Sequence, residues 1–482
     1  MADEQISLTL ERLAYGGDAV GRSGGKVVFA AYGLPGEKVQ VALSAQHKNF
    51  ARGRVVEVLA DPSPQRITPR CEYFGVCGGC QWQHFDYPAQ AAAKGELLAE
   101  QLRRIGGISI APLPTIAAPD PWAYRNVARL QVSYPIEGPP RLGYFRRESH
   151  SIVPIARCYI VHPRIVELLE PLNWLINTLP RAALSAITVR AAFADDATYL
   201  LLHQGNVRVN LGDVRRILPA WIKQERLIER FNLCGIATVS PPPPLKRTAN
   251  APQPGDVGGE MGELAADEAA TSSVLWGESL FSEVVGSTRY HFPAAAFFQV
   301  NTAATYALAE LVREAVTKEP PPPSGGRVGV GGSLLDLYSG VGLFSLHLLA
   351  AGAVSHAVGI EVQGEAVKAA RINAEAQGHI PAAEFYAGRI EDTLPELLEE
   401  GLTADVVVAD PPRAGLSPAV IELIIAVNPQ RIVYVSCDPS TLARDLKALS
   451  SRYQLRSTQA IDLFPQTYHI ESVSVLGRTD KP

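Results

Sequence analysis

Short runs of alternating apolar and polar residues, separated by glycine turns, fill residues 1–60. Each run has the two-residue period of a strand with one buried face. Five short strands with this punctuation predict a small closed β-barrel of the OB type. The pattern does not distinguish a barrel that binds a ligand from one that only packs against its neighbour.

From Leu334 onward, fully apolar runs alternate with segments of helical period. These runs lack the polar alternation of the first 60 residues, as is typical of parallel strands covered on both faces. With a final antiparallel pair that ends at Arg478, this part of the chain has about seven strands. The count predicts a Rossmann-like α/β sheet of the S-adenosylmethionine methyltransferase kind rather than a dehydrogenase sheet.

A glycine turn at 339–342 follows the first of these strands, and the second strand ends on Glu361. Glycines let a ligand approach the backbone closely, and a carboxylate about 25 positions after Asp336 can accept hydrogen bonds from ribose hydroxyls. The arrangement suits a nucleoside cofactor. The sequence lacks the full GxGxxG that a dinucleotide site would require there.

The apolar run 431–436 ends on Cys437, in a polar turn. Open α/β sheets place their working residues just beyond the carboxyl ends of such strands, so this thiol stands where an active site is expected. The alternative is a small buried apolar cysteine, which is a common role for a cysteine outside a disulfide. The segment alone does not choose between the two roles.

Arginines interleave with aromatic residues around Arg125 and around Arg146 and Arg147. Aromatic rings stack on unpaired bases and guanidinium groups bind phosphates, so this mixture suits RNA. A solvated strand face is the alternative for either run taken alone. A helix is predicted before both runs, over 88–105.

Residues 241–273 begin with four prolines and continue without periodicity, which predicts a mobile insertion. A second proline-rich break, 320–326, separates a predicted helix at 301–317 from the next strand. We expect three domains, which are a barrel over 1–60, a central α+β domain over 61–288 that contains the candidate RNA-binding arginines and most of the cysteines, and an α/β domain over 289–482.

Three of the six cysteines fall within ten residues at the spacing C-x5-C-x2-C, and a fourth follows much later. Such clustering is not a chance distribution and indicates a metal or cluster site. Glycines in this loop can offer N–H groups to cluster sulfurs, but four thiolates with an embedded CxxC also suit tetrahedral zinc. The spacing leaves the metal open. The four residues are Cys71, Cys77, Cys80 and Cys158.

The composition is compatible with several packed domains, since the 482 residues are 47 % hydrophobic and 19 % charged. The net charge of -5 excludes a wholly basic nucleic-acid coat but allows a local basic groove. The first residues are acidic and polar, so we expect neither a signal peptide nor a membrane span. We expect a cytoplasmic monomer.

The motifs together resemble the RNA (uracil-5-)methyltransferases that carry a TRAM domain and a 4Fe-4S cluster, in the branch that modifies bacterial 23S ribosomal RNA. The barrel segment is similar to a TRAM domain through residues 13–21 and 33–37. The remaining motifs are the four cysteines and residues 297–301, 336–342, 410–415, 435–439 and 464–471.

This resemblance implies that Cys437 is the nucleophile and Glu471 the base. The tRNA branch of the family usually lacks both the cluster and the TRAM domain, which favours ribosomal RNA. Leu343 departs from members that carry Asn there, so it is not counted as a ligand. The implied contacts to S-adenosylmethionine are Gln299, Tyr338, Glu361 and Asp410.

Uracil chemistry explains these residue types. Carbon 5 is too weak a nucleophile to attack a methyl sulfonium, but addition of a thiolate to carbon 6 converts carbon 5 into an enolate carbon. After methyl transfer a base must remove the carbon-5 proton before the thiolate can leave, and Glu471 fits this role. We expect Cys437 to have thiolate character near neutral pH in its polar turn.

Three other functions share part of the pattern. Asp410-Pro411-Pro412 also occurs in enzymes that methylate the amino group of adenine, which need no cysteine. A tRNA uridine-54 methyltransferase would share the uracil chemistry. A non-catalytic RNA-binding iron-sulfur protein would tolerate the loss of Cys437 and Glu471, so the presence of both favours uracil methylation.

Overall fold

A computed structural model describes residues 4–205, 211–240, 272–318 and 331–479. The chain divides into two compact units, each assembled from separate stretches of sequence. The first unit consists of Met1–Gly75, Cys80–Pro121 and Asp410–Pro482. The second unit consists of Val76–Gly79 and Trp122–Ala409.

The described helices and strands are numbered along the chain. The helices are α1 (Tyr87–Gln101), α2 (Pro163–Glu167), α3 (Leu169–Thr178), α4 (Leu211–Gln224), α5 (Leu227–Phe231), α6 (Thr302–Thr317), α7 (Leu343–Ala350), α8 (Gly364–Ala376), α9 (Ile390–Glu399), α10 (Pro418–Val427) and α11 (Pro439–Leu449). The strands are β1 (Gln5–Leu13), β2 (Ala19–Ser23), β3 (Lys26–Ala31), β4 (Lys38–Gln46), β5 (Phe50–Ala60), β6 (Leu113–Ile116), β7 (Val127–Ser133), β8 (Arg141–Phe145), β9 (Ile152–Pro154), β10 (Leu184–Ala191), β11 (Thr198–Gln204), β12 (Leu233–Val239), β13 (Ser272–Gly277), β14 (Leu280–Val285), β15 (Thr288–Pro293), β16 (Gly332–Leu337), β17 (Val354–Glu361), β18 (Ala383–Ala387), β19 (Val406–Ala409), β20 (Arg431–Ser436), β21 (Tyr453–Ile461) and β22 (Glu471–Arg478).

The first unit contains a closed barrel with the strand order β1-β2-β3-β5-β4. Alternate side chains such as Leu8, Val28 and Val41 are buried inside it. A Cβ atom at Gly53 would lie 2.4 Å from the carbonyl oxygen of Ala42, so only glycine allows β5 this close to β4. The predicted five-stranded barrel is confirmed.

Four further strands of the first unit are hydrogen-bonded in the order β20-β22-β21-β6. β22 runs antiparallel to both β20 and β21, while β6 runs parallel to β21. All six residues of β20 are buried, as its uninterrupted apolar sequence predicts. The helix predicted over 88–105 forms in two parts. The α-helix α1 ends at Gln101, and the chain continues as a π-helical turn, Leu102–Gly106.

The second unit contains a seven-stranded sheet with the order β13-β12-β11-β10-β7-β8-β9 and a separate hairpin, β14-β15. Arg190 lies buried between these parts, where its guanidinium group donates to the carbonyl oxygens of Ala294 and Ala296 at 2.6 Å each. The predicted domain boundary at 288 coincides with the first residue of β15. The division into three domains stays a prediction.

The parallel strands of the second unit have the order β18-β17-β16-β19. Helix α6 begins after Asn301, whose side chain accepts a hydrogen bond from the N–H of Ala304, as its predicted start implies. Seven strands lie between Gly332 and Arg478, and the predicted seven-stranded Rossmann-like sheet stays a prediction.

Two predicted loops fall largely outside the described residues. The insertion was predicted over 241–273, of which 241–271 are not described, and Ser272 and Ser273 begin β13 instead. The predicted end of the insertion was wrong by two residues. Ser272 and Ser273 pair with β12, and a run of small polar residues gives no sign of that pairing. The break at 320–326 is also outside the described part. Among the described helices, none has the length and apolar character that a membrane crossing requires.

Candidate active site

Cys437 lies in a tight turn between β20 and α11. The hydroxyl of Ser436 donates to the carbonyl oxygen of Asp438 at 3.0 Å and accepts from the Asp438 N–H at 3.2 Å. Asp438 is the N-cap of α11, and its Oδ1 accepts from the N–H groups of Ser440 and Thr441 at 2.7 and 3.2 Å. The residues on both sides of the thiol are therefore held by hydrogen bonds.

Glu471 is the first residue of β22, the strand next to β20. The antiparallel register ends with the pair Ser436 and Ser472, and Cys437 and Glu471 are the next residues beyond that pair. Glu471 also acts electrostatically on the Cys437 thiol, which requires the two side chains to lie close in space. The structure thus brings the two predicted catalytic residues together, and Glu471 is only 3 % exposed.

The charges around Cys437 oppose its ionisation. Burial raises the pKa of the Cys437 thiol, and the carboxylates of Glu471, Asp410 and Asp438 raise it further, while Arg413 lowers it. These surroundings oppose the expected thiolate character near neutral pH, which stays a prediction. Desolvation and nearby acidic groups both favour the protonated form of a thiol.

Glu471 is perturbed in the same direction. Burial raises the pKa of the Glu471 carboxyl well above its usual value, the charge of Asp410 raises it further, and Arg413 lowers it. A carboxylate in such a place is a stronger base than an exposed one, since a high pKa means a high proton affinity. Once ionised, Glu471 therefore has a higher proton affinity than an exposed carboxylate, and its role as the base stays a prediction.

Residues 462–470 form the loop that leads into β22. Arg413 donates from Nη2 to Nδ1 of His469 at 3.4 Å, and the His469 ring lies against Tyr468 with centroids 4.5 Å apart. Gln466 has a left-handed backbone, with φ of 69°, and is buried. Its amide groups exchange hydrogen bonds with the side chain of Gln90 on α1 at 3.0 and 3.1 Å. These hydrogen bonds attach the loop to α1.

The second unit carries the glycine turn. Tyr338 has a φ of 64°, a left-handed conformation that is uncommon for a residue other than glycine and is often found at functional sites. The carboxylate of Glu361 accepts from the N–H of Gly340 at 3.1 Å and from the N–H of Gln363 at 2.8 Å. Glu361 therefore holds the turn in shape, in addition to any contact with a ligand.

Asp336 lies below this turn and is completely buried. Its Oδ2 accepts from the hydroxyl and the N–H of Ser345 at 2.6 and 3.2 Å, whereas its Oδ1 has no hydrogen-bond partner. Burial raises the pKa of Asp336 from 3.8 to about 7, and Glu361 adds to the rise. The first turn of α7 is therefore hydrogen-bonded to a carboxyl group whose pKa lies near neutral pH.

Gln299 precedes α6 and is buried. The side-chain amide of Asn126 donates to the carbonyl oxygen of Gln299 at 3.2 Å and also contacts Glu283 and Thr302 at 3.2 and 3.0 Å. Gln299, Tyr338 and Glu361 belong to the second unit, whereas Asp410 belongs to the first with Cys437 and Glu471. The role of all four as cofactor contacts stays a prediction.

Comparison of the sequence with known proteins shows the family of this chain. Residues 284–479 match the family described as tRNA (Uracil-5-)-methyltransferase, and residues 4–56 match the TRAM domain. An uncharacterized RNA methyltransferase of Thermosynechococcus vestitus is 34 % identical over 481 residues, which cover 98 % of this chain and 97 % of the relative. The chain belongs to the RNA (uracil-5-)-methyltransferase family. It is an RNA-modifying enzyme with a TRAM barrel, as the motifs predict.

One further sequence relative and one solved structure are similar to this methyltransferase over nearly its whole length. An uncharacterized RNA methyltransferase of Gloeobacter violaceus is 33 % identical over 489 residues, with 99 % of this chain and 97 % of the relative covered. The fold resembles that of the Pyrococcus abyssi tRNA (uracil-54, C5)-methyltransferase in complex with S-adenosyl-L-homocysteine, with a TM-score of 0.66 and 23 % identity. That comparison covers 98 % of this chain and all of the other, and it shows the shared fold.

The four clustered cysteines of this methyltransferase are thiols and are partly exposed. In the second unit, the N–H of Gly79 donates to the sulfur of Cys77 at 3.5 Å. In the first unit, the N–H of Cys71 donates to the side chain of Gln83 at 3.1 Å. Within the described part of the chain, no three His, Cys, Asp or Glu side chains are grouped closely enough to hold a metal ion. The cluster stays a prediction.

The three arginines of the RNA prediction differ in exposure. Arg125 is buried, and its Nε donates to the carbonyl oxygen of Val127 at 3.0 Å, so its backbone and stem belong to the interior. Arg146 is exposed, and Arg147 is partly exposed with Glu148 at 3.6 Å. Arg146 is the exposed member of the set, and contact of all three arginines with RNA stays a prediction.

Three residues near Cys437 were missed as site residues, namely Tyr15, Arg413 and His469. Arg413 and His469 lie inside motifs that resemble the family, so their context was a usable signal. Tyr15 lies in the barrel, 423 positions before its partner Asp438, and nothing in the local sequence reveals that contact.

Proposed function

We propose that this enzyme methylates carbon 5 of a uridine in RNA, with S-adenosylmethionine as methyl donor, through a covalent bond between Cys437 and carbon 6. The observation that carries the proposal is the placement of Cys437 and Glu471 at neighbouring strand ends, with Glu471 buried and its pKa raised. A methyltransferase acting on an amino group would use neither residue.

In the proposed reaction, the partly exposed Cys437 thiol gives its proton to solvent and its sulfur adds to carbon 6, which places negative charge on carbon 5 and oxygen 4. Carbon 5 takes the methyl group, and the sulfonium becomes a neutral thioether. Glu471 then removes the carbon-5 proton, the carbon 5–carbon 6 double bond re-forms and the Cys437 thiolate leaves. The raised proton affinity of Glu471 assists that step, and Arg413 opposes the accumulation of negative charge.

The uridine must leave its stack before the thiol can approach carbon 6, so the target lies in a loop or is flipped. Tyr338, Glu361, Gln299 and Asp410 would hold S-adenosylmethionine, which supplies an electrophilic methyl group. The donor set fits this ligand, because a carboxylate and a glycine turn lie together at the end of β17 and β16.

We also propose ribosomal RNA as the target and a 4Fe-4S cluster on Cys71, Cys77, Cys80 and Cys158. The TRAM barrel and the spacing of the cysteines support both, and the Gly79 N–H to Cys77 bond is of the kind that stabilises cluster thiolates. The described thiols do not by themselves form a group that fits a single metal ion. The cluster has no part in the reaction steps above.

The test is to trap the adduct. Glu471→Gln keeps the thiol and the shape of the base, so it should transfer the methyl group and then stall as a covalent protein–RNA species. That species should survive denaturing electrophoresis and carry label from the cofactor methyl group. Cys437→Ala should give no adduct and no product. Cys234→Ala, which removes a remote thiol in β12, is the matched control and should behave as wild type.

Full turnover by Cys437→Ala would exclude the covalent mechanism, whereas full turnover by Glu471→Gln would move the base to another residue. The target is tested separately, by mapping 5-methyluridine in ribosomal and transfer RNA from a deletion strain. Loss of the modification from ribosomal RNA alone is expected. Its loss at tRNA position 54 would replace the ribosomal assignment.

A further inference from the structure

The loop between β1 and β2 of the barrel reaches the turn that carries Cys437. The hydroxyl of Tyr15 donates to Oδ2 of Asp438 at 3.1 Å. The other oxygen of Asp438, Oδ1, is used for the cap of α11. One carboxylate next to the thiol is therefore shared between a helix of the sheet and a loop of the barrel.

The loop is held firmly in this position. Trp82 is fully buried, and its indole N–H donates to the carbonyl oxygen of Gly17 at 3.0 Å. A Cβ atom at Gly17 would lie 3.0 Å from the Cβ of Tyr468, and the φ of 91° also favours glycine. The Tyr15 and Tyr468 rings meet edge to face with centroids 6.3 Å apart. These contacts leave the Tyr15 hydroxyl aimed at Asp438.

The chemistry of the contact favours a lasting donor. Burial raises the pKa of Tyr15, and the charge of Asp438 raises it further, so the phenol keeps its proton. The negative charge of Asp438 in turn raises the pKa of Cys437. A hydrogen bond from Tyr15 spreads that charge and reduces its effect on the thiol.

We propose that Tyr15 is a positioning residue for the nucleophile, which makes the barrel part of the catalytic site rather than only an RNA-binding attachment. The proposal rests on the role of Cys437 proposed above. Tyr15 acts through Asp438, whose position and effective charge it sets. The alternatives are that Tyr15 only stabilises the fold or only contacts RNA.

The pH dependence of Cys437 alkylation reflects the charged groups that face the thiol. They are Glu471 from β22, Asp410 and Arg413 from the segment before α10, and Asp438 from the turn itself. Tyr15 alters only the contribution of Asp438. Tyr15→Phe removes one hydroxyl and keeps the ring packing on Tyr468, so it tests this single contribution.

The first measurement is the rate at which iodoacetamide alkylates Cys437 in the full-length protein without RNA, followed across pH by mass spectrometry. Tyr15→Phe should react about threefold more slowly at neutral pH, with its rate profile displaced to higher pH. Without the hydrogen bond from Tyr15, the negative charge of Asp438 acts more strongly against the Cys437 thiolate. Tyr453→Phe is the matched control, since it removes a buried hydroxyl that donates to Pro429 at 3.1 Å. It should leave the alkylation profile unchanged.

A double-mutant cycle separates positioning through Asp438 from a general loss of structure. Asp438→Asn keeps an oxygen for the cap but removes the charge, so alkylation should become faster. Adding Tyr15→Phe to Asp438→Asn should then cause no further slowing. Equal slowing in both backgrounds would show that Tyr15 acts on the fold and would overturn the proposal.

RNA assays complete the test. With RNA that carries 5-fluorouridine at the target, which cannot release its carbon-5 substituent, Tyr15→Phe should form the adduct more slowly at saturating RNA with an unchanged Kd. A raised Kd with an unchanged rate would assign Tyr15 to RNA binding and overturn the proposal. If wild type forms no adduct, the covalent mechanism fails, and the alkylation profiles still decide whether Tyr15 acts on the thiol.

Discussion

Lys94 and Asp462 form an ion pair of 2.6 Å in which neither side chain has any exposed surface. Lys94 also donates to the carbonyl oxygen of Phe464 at 3.1 Å, so the pair ties α1 to the loop that carries His469 and leads to Glu471. Two unlike charges without solvent are stable only while both are present, because either one alone would be an uncompensated buried charge.

Lys94→Met should therefore destabilise the protein by about 3–5 kcal/mol, whereas Lys94→Met combined with Asp462→Leu should recover most of this loss. Urea unfolding followed by tryptophan fluorescence measures both, since Trp82 lies 5.9 Å from the Lys94 ammonium group. Equal stability of Lys94→Met and wild type would show that the pair does not anchor the loop.

The raised pKa of Glu471 has a consequence for stability. The folded protein keeps the Glu471 proton at pH values where the unfolded chain has lost it, so the folded state binds more protons and stability falls as pH rises above the ordinary carboxyl range. Glu471→Gln removes this loss. The variant should be more stable than wild type at pH 8, and the difference should shrink as the pH falls towards the ordinary carboxyl range.

Thermal unfolding at pH 8 and near the ordinary carboxyl range measures the effect of Glu471→Gln. Glu422→Gln, at an exposed position in α10, provides the control and should track wild type at each pH. A Glu471→Gln variant that is less stable than wild type at pH 8 would mean that the carboxylate is compensated in the folded site.

Glu361 is predicted to support cofactor binding by holding the glycine turn as well as by direct contact. Glu361→Gln loses the charge-assisted bonds to Gly340 and Gln363, and the affinity for S-adenosylmethionine should fall about tenfold, or about 1.4 kcal/mol. Calorimetric titration provides the measurement. Glu365→Gln is the control, because Glu365 is exposed and pairs only with the exposed Lys368 at 2.6 Å. Equal affinities for the two variants would remove Glu361 from the site.

Arg146 and Arg147 are predicted to bind RNA phosphates. Reversing both charges should weaken RNA binding, lower the slope of log affinity against log salt by about 2, and leave S-adenosylmethionine binding intact. Lys318→Glu combined with Lys368→Glu makes the same change in net charge at two exposed positions, one directly after α6 and one in α8. If both double variants lose RNA affinity equally, the effect comes from net charge and not from this surface.

Protein purified without oxygen is predicted to be brown, with about four iron and four sulfide per chain. Cys77→Ser should abolish the colour and the iron, whereas Cys234→Ser should retain both, because Cys234 lies outside the set and donates to the carbonyl oxygen of Thr198. Metal analysis and the absorption spectrum decide this. Stoichiometric zinc without iron would replace the cluster by a zinc site.

The elements with strong periodicity could be predicted from the sequence. Four of the five barrel strands, the apolar strand before Cys437 and the glycine turn before α7 depend on local apolar runs and on glycine, so each lies where its pattern placed it. The position of β2 was not predicted. The family was also accessible, since its motifs are short and continuous. The strand β6 was not predicted, because four residues contain too little pattern to mark a strand.

The electrostatics of the site depended on the tertiary structure. A polar turn predicted an ionisable thiol at Cys437, but desolvation and the acidic groups of Glu471 and Asp410 raise its pKa. Those neighbours come from segments far apart in the chain, and pKa values depend on desolvation and on charges close in space rather than in sequence. The same holds for Tyr15, which only the folded barrel brings to Asp438. The sequence by itself thus determined the elements and the chemical identity of the nucleophile and base, while the fold determined their protonation and the residues that surround them.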